Sequence, residues 1–364
     1  MTAAFRFAVA VPSYLGAPVI EPTLRSLLAQ TCGNWVCVVV NDGAEDGTAE
    51  IVRRIADPRI RYVSDGQRRG QFGNFNRALI EALAERADAV RLLCADDVLY
   101  PHDLADMARL FGEHDGVGLV ATHYDGIDAA GTLLFRAEVG DRPDHIMRGR
   151  DYLLRGLAVG NTIGGPSSVA IRRQAFDTAG IFDTRVNHSG ESDLWHRVAA
   201  AWDIAWVGRR PGFQYRFHDA SITGRGKFSV AKFTDPIQLV RRVASTEALF
   251  GPRWWVHQYT IGRLHAINVQ LIAIMAAKGR WDGAKAGLTA SLREGLIVYI
   301  PFWLPRIPYQ LARLALGLPA NRRLLWRGVH EGLQPHRVPV GQDAAAQPRR
   351  ADLAPPASTA PPAR

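Results

Sequence analysis

Apolar and polar positions alternate along the first hundred residues in two different periods. Residues 7–11 (FAVAV) and 35–40 (WVCVVV) are short apolar runs bounded by polar clusters, which predicts buried strands. The stretch PVIEPTLRSLLAQT between them carries its apolar residues at helical spacing, so the opening predicts a strand-helix-strand unit. The pattern continues through the polar loop NDGAEDGTAE into a helix ending near Ala56, a strand over 60–63, a helix over 72–86 and a strand over 90–94. Such alternation predicts an α/β fold, a mostly parallel sheet with helices on both faces. In these sheets ligands sit outside the carboxyl ends of the strands, and three polar clusters fall there: PSY after the first strand, NDG after the second and ADD after the fourth.

Downstream, GNTIGGPSSVAIRR (160–173) is a Gly/Pro-rich loop running into a predicted strand, followed by two polar-rich stretches, FDTRVNHSGESDLWHRVAAAW and GFQYRFHDASITGRG. These are dense enough in polar groups to form the second half of a site. The pattern divides the chain into a main domain over 1–230, with halves of about 1–120 and 120–230, a basic helical region over 231–332 and a Pro/Ala-rich tail over 333–364 that predicts disorder. Two apolar segments of the helical region, LHAINVQLIAIMAA and GLIVYIPFWLP, fall short of the roughly 20 apolar residues a spanning helix needs, and Pro301 and Pro305 break the second. They predict either a helical cap packed on the core or, with Tyr299, Trp303, Trp326 and nearby arginines, contact with the inner face of a membrane.

At 364 residues and 47% hydrophobic composition the chain holds more than one compact domain usually does. A net charge of +9 and a pI near 9.8 favour anionic partners without choosing among them. Nucleic acid is excluded by the lack of any zinc-finger, helix-turn-helix or aromatic-basic RNA-binding signature. Cys32, Cys37 and Cys94 have neither metal-type spacing nor an even count, and the N-terminus lacks a signal-peptide pattern, so a reducing, cytoplasmic setting is expected.

The adjacent carboxylates Asp96 and Asp97 repel unless a cation is shared between them. A divalent cation at a strand end, with open positions for substrate phosphates, is how Mg²⁺ or Mn²⁺ serves phosphate chemistry. The competing role is capping a helix that starts near Pro101. Asp42, in an Asp-Gly pair after a strand, is likewise either a ligand group or ordinary turn chemistry.

Five blocks, VAVPSYLGAPVIEPTLRSLLAQTCGNWVCVVVNDGAEDGT, GQFGNFNRALIEA, LLCADDVLYP, GNTIGGPSSVAIRR and GESDLWHRVA, resemble in order and spacing the successive blocks of family 2 glycosyltransferases, over roughly residues 5–217. The resemblance implies the GT-A fold, a nucleotide-diphosphate-sugar donor, a divalent metal (Mn²⁺ or Mg²⁺) and inversion at the anomeric carbon. It implies that Pro12 and Tyr14 line the base pocket and that Asp42 hydrogen-bonds the base. Asn76 and Arg77 match the family's Asn-Arg pair, which serves structure as much as binding, and Arg69 flanks the same block. Asp96 then faces the ribose and Asp97 the metal. Cys94 stands where many relatives carry a further aspartate. The family's catalytic base falls at Glu191, a glutamate in place of the usual aspartate, with Asp193 as its rival or as a helix cap.

His218 takes the place of a histidine or basic loop that closes over the diphosphate, as a further metal ligand or a phosphate contact, with Arg216, Arg225 and Lys227 in the same loop. Gly165, within GGPSS, and Trp195 complete the acceptor and diphosphate region. The function this implies is metal-assisted sugar transfer to a glycan or lipid-linked acceptor in bacterial surface-polysaccharide synthesis. Cys94 and Glu191 motivate a second expectation, a catalytically silent nucleotide- or glycan-binding partner of an assembly complex. A sugar-nucleotide-forming nucleotidyltransferase ranks last, because VAVPSYLGAP lacks the Gly-rich, lysine-bearing signature.

Overall fold

The computed structural model describes residues 5–139, 143–186, 189–218, 230–244 and 254–304, and the backbone of 336–339. Four parallel strands, β1 (Phe7–Ser13), β2 (Trp35–Asn41), β3 (Ile60–Val63) and β4 (Ala89–Leu92), lie in the spatial order β3-β2-β1-β4. Helices α1 (Ile20–Leu28), α2 (Thr48–Ile55) and α3 (Gln71–Ala84) connect them, as the apolar pattern predicts. β4 is shorter than its apolar run. Leu93 still donates its N–H to the Ala10 carbonyl (3.0 Å), but the Cys94 N–H goes to the Ser167 hydroxyl (2.8 Å), so the chain leaves the sheet there.

The sheet extends to eight strands through the strand that the sequence predicts at the end of residues 160–173. β10 (Val169–Arg172) runs antiparallel between β4 and β6 (Val117–Ala121), followed by β11 (Asp203–Trp206), parallel to β6, and β9 (His145–Met147) at the edge. Side chains of β1 point alternately to two faces. Phe7, Val9 and Val11 join Leu24 and Leu27 of α1 and Phe111 of α4 (Asp103–Glu113) in one core. Ala8 and Ala10 face the other, with Phe75 and Leu79 of α3 and Leu194 and Trp195 of α7 (Gly190–Ala199). Burial on both faces is why these strands read as unbroken apolar runs. Two further helices, α5 (Gly149–Val159) and α6 (Ala175–Ala179), flank α7.

A second sheet, in the order β13-β8-β7-β12-β5, crosses the rim of the first. It consists of β5 (Val98–Leu99), β7 (Tyr124–Ile127), β8 (Leu133–Glu138), β12 (Phe213–Arg216) and β13 (His336–Pro339). Its effect on the site is to lay β12 antiparallel to β5, immediately after the paired aspartates. β13 lies inside the stretch whose composition predicts disorder, and its backbone pairs antiparallel with β8, so that expectation is corrected for these four residues. The remainder of the tail, with Trp326, Arg225 and Lys227, lies outside the described residues.

The basic helical region forms α8 (Ala231–Ala244), α9 (Trp254–Ala277), α10 (Trp281–Arg293) and α11 (Ile300–Trp303). α9 is longer than its apolar segment suggests, and its stretch Thr260–Ala277 is long and apolar enough to cross a bilayer by length and composition, with 33% of it buried within the fold. Its polar residues, however, are engaged by neighbouring helices. The Asn268 amide donates to the Phe233 carbonyl (3.0 Å) and the Ser291 hydroxyl (3.2 Å), and His265 Nε2 meets the Glu294 carbonyl at 3.2 Å.

Candidate active site

The carboxyl ends of β1 and β2 are in register, Ser13 opposite Asn41, so Tyr14 and Asp42 emerge side by side. Asp42 is buried, and both carboxylate oxygens accept backbone N–H groups of the loop before α3, from Arg69 (2.6 Å) and Gly70 (2.9 Å). Gly43 makes this approach feasible: at φ 74°, a Cβ there would lie 2.9 Å from the Gly66 carbonyl oxygen. The same loop sets the Arg68 guanidinium over the Tyr14 ring, 4.3 Å from its centroid. Pro12 is half-buried at the end of β1. Pro12, Tyr14 and Asp42 are thus brought together at one end of the rim, with Asp42 first of all the residue that holds the loop in place.

Beyond β4 the paired aspartates differ in burial and in partners. Asp96 is the more open, its carboxylate 2.9 Å from His218 Nε2. Asp97 is 1% exposed; its Oδ1 accepts the Arg216 N–H at 3.0 Å, and its Oδ2 is buried without a hydrogen-bond partner among the described residues. Burial first, and the Asp96 charge second, push the Asp97 carboxyl up to about 8. An inward carboxylate oxygen lacking a donor, beside a second carboxylate, is what a site prepared for a cation offers. One ligand atom each from Cys94, Asp96 and Asp97 lies within 4.8 Å of the others. The Cys94 thiol is pushed well above its ordinary value by burial and then by the aspartate charges, which keeps it protonated. The donors that remain are carboxylate oxygens, with His218 adjoining, and hard oxygen ligands suit Mg²⁺ or Mn²⁺.

Glu191 lies in the first turn of α7, which packs so closely on α3 that a Cβ on Gly190 would fall 2.5 Å from the Phe72 ring. Burial raises the Glu191 carboxyl above its ordinary value, and its charge is among those that raise Cys94, so it shares the neighbourhood of the aspartate block. Its carboxylate forms no ion pair among the described residues.

Four residues expected in the site have other duties. Asp193 is not the helix cap, since Ser189 stands at the N-cap, and its buried carboxylate is bonded to Arg197 (2.9 Å) and Arg242 (3.2 Å). Asn76 exchanges two hydrogen bonds with the Phe182 backbone (2.8 and 2.9 Å), which tie α3 to the segment before α7, the structural half of its expected role. Trp195 is fully buried and its indole donates to the Gly164 carbonyl at 3.2 Å, so it props the glycine turn from beneath. Arg216 is 5% exposed, and its guanidinium donates to the carbonyls of Asp96 (2.9 Å), Asp128 and Ala129 (both 3.1 Å). Gly165 lies at an open position, where a Cβ would meet nothing within 4 Å.

Three supporting residues escaped the sequence reading. Asn74 donates to the carbonyls of Ser13 (3.1 Å) and Val40 (3.2 Å), pinning α3 to two strand ends. Ser167 joins the glycine turn to Cys94. Arg91, wholly buried in β4, pairs with buried Asp103 at 2.8 Å and donates to the carbonyls of Leu92 (2.7 Å) and Val169 (3.0 Å). A charged residue in an apolar strand run was the signal available for it.

Residues 8–180 match the model of glycosyl transferase family 2. Among curated relatives, an uncharacterized protein of Mycobacterium tuberculosis is 28% identical over 210 residues, 55% of this chain and 63% of its own length. An uncharacterized glycosyltransferase of Nostoc sp. is 32% identical over 126 residues, 34% of this chain and 38% of its own length. The O-antigen biosynthesis protein RfbC of Myxococcus xanthus is 32% identical over 147 residues, 38% of this chain and 11% of its own length. The chain thus spans less than two thirds of these relatives. Among solved structures, S. aureus TarS 1–349 in complex with UDP-GlcNAc superimposes with a TM-score of 0.64 at 14% identity, covering 87% of this chain and 93% of that one. The mannosyltransferase PcManGT of Pyrobaculum calidifontis, in complex with GDP-Man and Mn²⁺, gives 0.50 at 19% identity, covering 90% and 89%. The architecture is therefore the GT-A fold, and residues 8–180, somewhat under half of the chain, are similar to glycosyl transferase family 2.

Proposed function

We propose that the protein is an inverting glycosyltransferase that moves a sugar from a nucleotide-diphosphate donor to a glycan or lipid-linked acceptor in surface-polysaccharide synthesis. The observation that carries the proposal is Glu191, a carboxylate with no ion-pair partner among the described residues and a raised proton affinity, held on a helix end beside the aspartate block. The named ligands of TarS and PcManGT, and the O-antigen role of the Myxococcus relative, support the donor class and the pathway.

Glu191 takes the proton of the acceptor hydroxyl, whose oxygen attacks the anomeric carbon as the bond from that carbon to the diphosphate oxygen breaks. The result is a new glycosidic bond of inverted configuration and a free nucleoside diphosphate. Burial helps, because a carboxylate of raised pKa is a stronger base near neutral pH. Tyr14 and Arg68 flank the base, and Asp42 keeps their loop closed on β2. Asp96, Asp97 and His218 would hold the divalent metal, which when bound neutralises charge growing on the leaving diphosphate. We place the protein in the cytoplasm, with the helical region touching the inner face of the membrane.

The test is a panel of nucleotide-diphosphate sugars, with and without Mn²⁺ or Mg²⁺, read by thermal stabilisation and diphosphate release. Metal-dependent stabilisation by one donor with slow release is expected. Stabilisation by none would move the assignment to a silent assembly partner.

A further inference from the structure

On the far side of α7 from Glu191 lies a cavity of about 590 Å³ between α5, α8 and the segment before α7. At roughly 100° per residue, Asp193, His196, Arg197 and Ala200 share the helix face opposite Glu191, and all four line the cavity. It is therefore a separate space from the transfer site.

Its chemistry is mixed. Leu153, Leu239 and Val243 give apolar walls, whereas Arg185, Arg197 and Arg242 bring three guanidinium groups against only two carboxylates, Asp183 and Asp193. Arg197 is consumed by Asp193 and by the carbonyls of Ala179 and Ile181. Arg242 bridges both carboxylates at 3.1 and 3.2 Å, and Arg185 leans on Asp183 with most of its side chain in solvent. Among the described lining residues the guanidinium groups thus outnumber the carboxylates by one, and Arg185 is the most exposed of them. Further in, His196 is 6% exposed and neither ring nitrogen has a hydrogen-bond partner among the described residues; the buried Tyr152 hydroxyl, whose ring centroid lies 5.7 Å from the imidazole, has none among them either. Buried polar groups are nearly always hydrogen-bonded, so two adjacent orphans beside a cavity mark a place where a polar ligand group completes the network.

We propose that this cavity is a second ligand site, independent of the transfer site, for an organic phosphate monoester bearing an apolar chain. The phosphate answers the exposed guanidinium of Arg185, with Arg242 next to it on the cavity wall, an ester or hydroxyl oxygen answers His196, and the chain lies on the leucine and valine walls. Guanidinium groups are suited to phosphate because their paired N–H donors match its oxygens.

The experiment is isothermal titration of the full chain with octyl phosphate, inorganic phosphate and octyl glucoside, each repeated with saturating UDP. Saturable octyl phosphate binding at least tenfold tighter than either comparison compound, and unaffected by UDP, is expected. Arg185→Gln, at an exposed position where folding is not at stake, and Arg242→Gln should each weaken it about tenfold while leaving UDP binding unchanged. Absence of saturable binding would overturn the proposal and leave the cavity to water, and so would undiminished binding in both variants. Equal binding of inorganic phosphate would overturn the apolar part, equal binding of octyl glucoside the phosphate part, and competition with UDP the separateness of the site.

Discussion

Neighbouring carboxylates on α7 have opposite fates, and burial with partners differs from burial without. Asp193 is neutralised by two arginines, whereas Glu191 has no cation beside it among the described residues and its pKa rises. Glu191→Gln should therefore lower kcat by about 10²–10⁴-fold with donor affinity nearly unchanged, since only the proton acceptor is lost. Asp193→Asn should instead lower the melting temperature and leave the pH-rate profile in place. His196 gives a pH signature of its own. Burial lowers its pKa to about 4, below the 6.5 of an unperturbed histidine, so between those values the unfolded chain binds the extra proton. Stability should fall as pH drops from about 6.5 to about 4, by at most about 1.4 kcal/mol per pH unit, and His196→Phe should flatten that slope in urea titrations across the range. At this scale the sequence was most legible where neighbours form one local cluster, as with the aspartate pair, whose ligand atoms gather with that of Cys94. It was least legible for Asn76, Trp195 and Arg216, whose partners are backbone groups more than 30 residues away.

Among elements, the first four strands and three helices were readable because each carries its own period of apolar residues. β10 was readable as a strand but its place between β4 and β6 was not, and neither was the second sheet: its strands run from two to six residues, and what orders them is pairing between distant segments. That pairing nevertheless builds the site, since β12 delivers Arg216 and His218 to the aspartates. Beneath it, the Arg91–Asp103 pair joins β4 to α4 in the core, at 0% and 1% side-chain exposure. Removing one member leaves a buried charge without its counter-ion. Asp103→Asn should cost about 3–5 kcal/mol in urea unfolding, and pairing it with Arg91→Met should recover most of the loss. If Asp103→Asn alone is neutral, the pair does not anchor the aspartate loop.

The helical region divides its surfaces in a way that bears on where the whole molecule works. α10 turns small residues, Ala284, Gly287, Ala290 and Ser291, inward, and a Cβ on Gly287 would lie 2.7 Å from the Phe233 ring of α8. Its outward stripe is Trp281, Lys285, Leu288 and Leu292, and Ile297 and Val298 follow at 66% and 75% exposure. Exposed Lys278, Arg280 and Arg293 border these apolar groups. Apolar side chains ringed by cations are the composition that enters the headgroup layer of an anionic bilayer, where buried area and charge attraction add. The polar contacts of Asn268 and His265 meanwhile tie α9 to the cap, so contact by the outer face, rather than insertion of α9, is the expected mode. The protein should sediment with phosphatidylglycerol vesicles more than with phosphatidylcholine vesicles, and less as salt is raised. Ile297→Asp with Val298→Asp should cut that binding severalfold without changing UDP affinity, since both positions are far too exposed for folding to depend on them. Equal sedimentation of the double variant would remove this face from the membrane, and with it the reason to seek the acceptor among lipid-linked glycans before soluble ones.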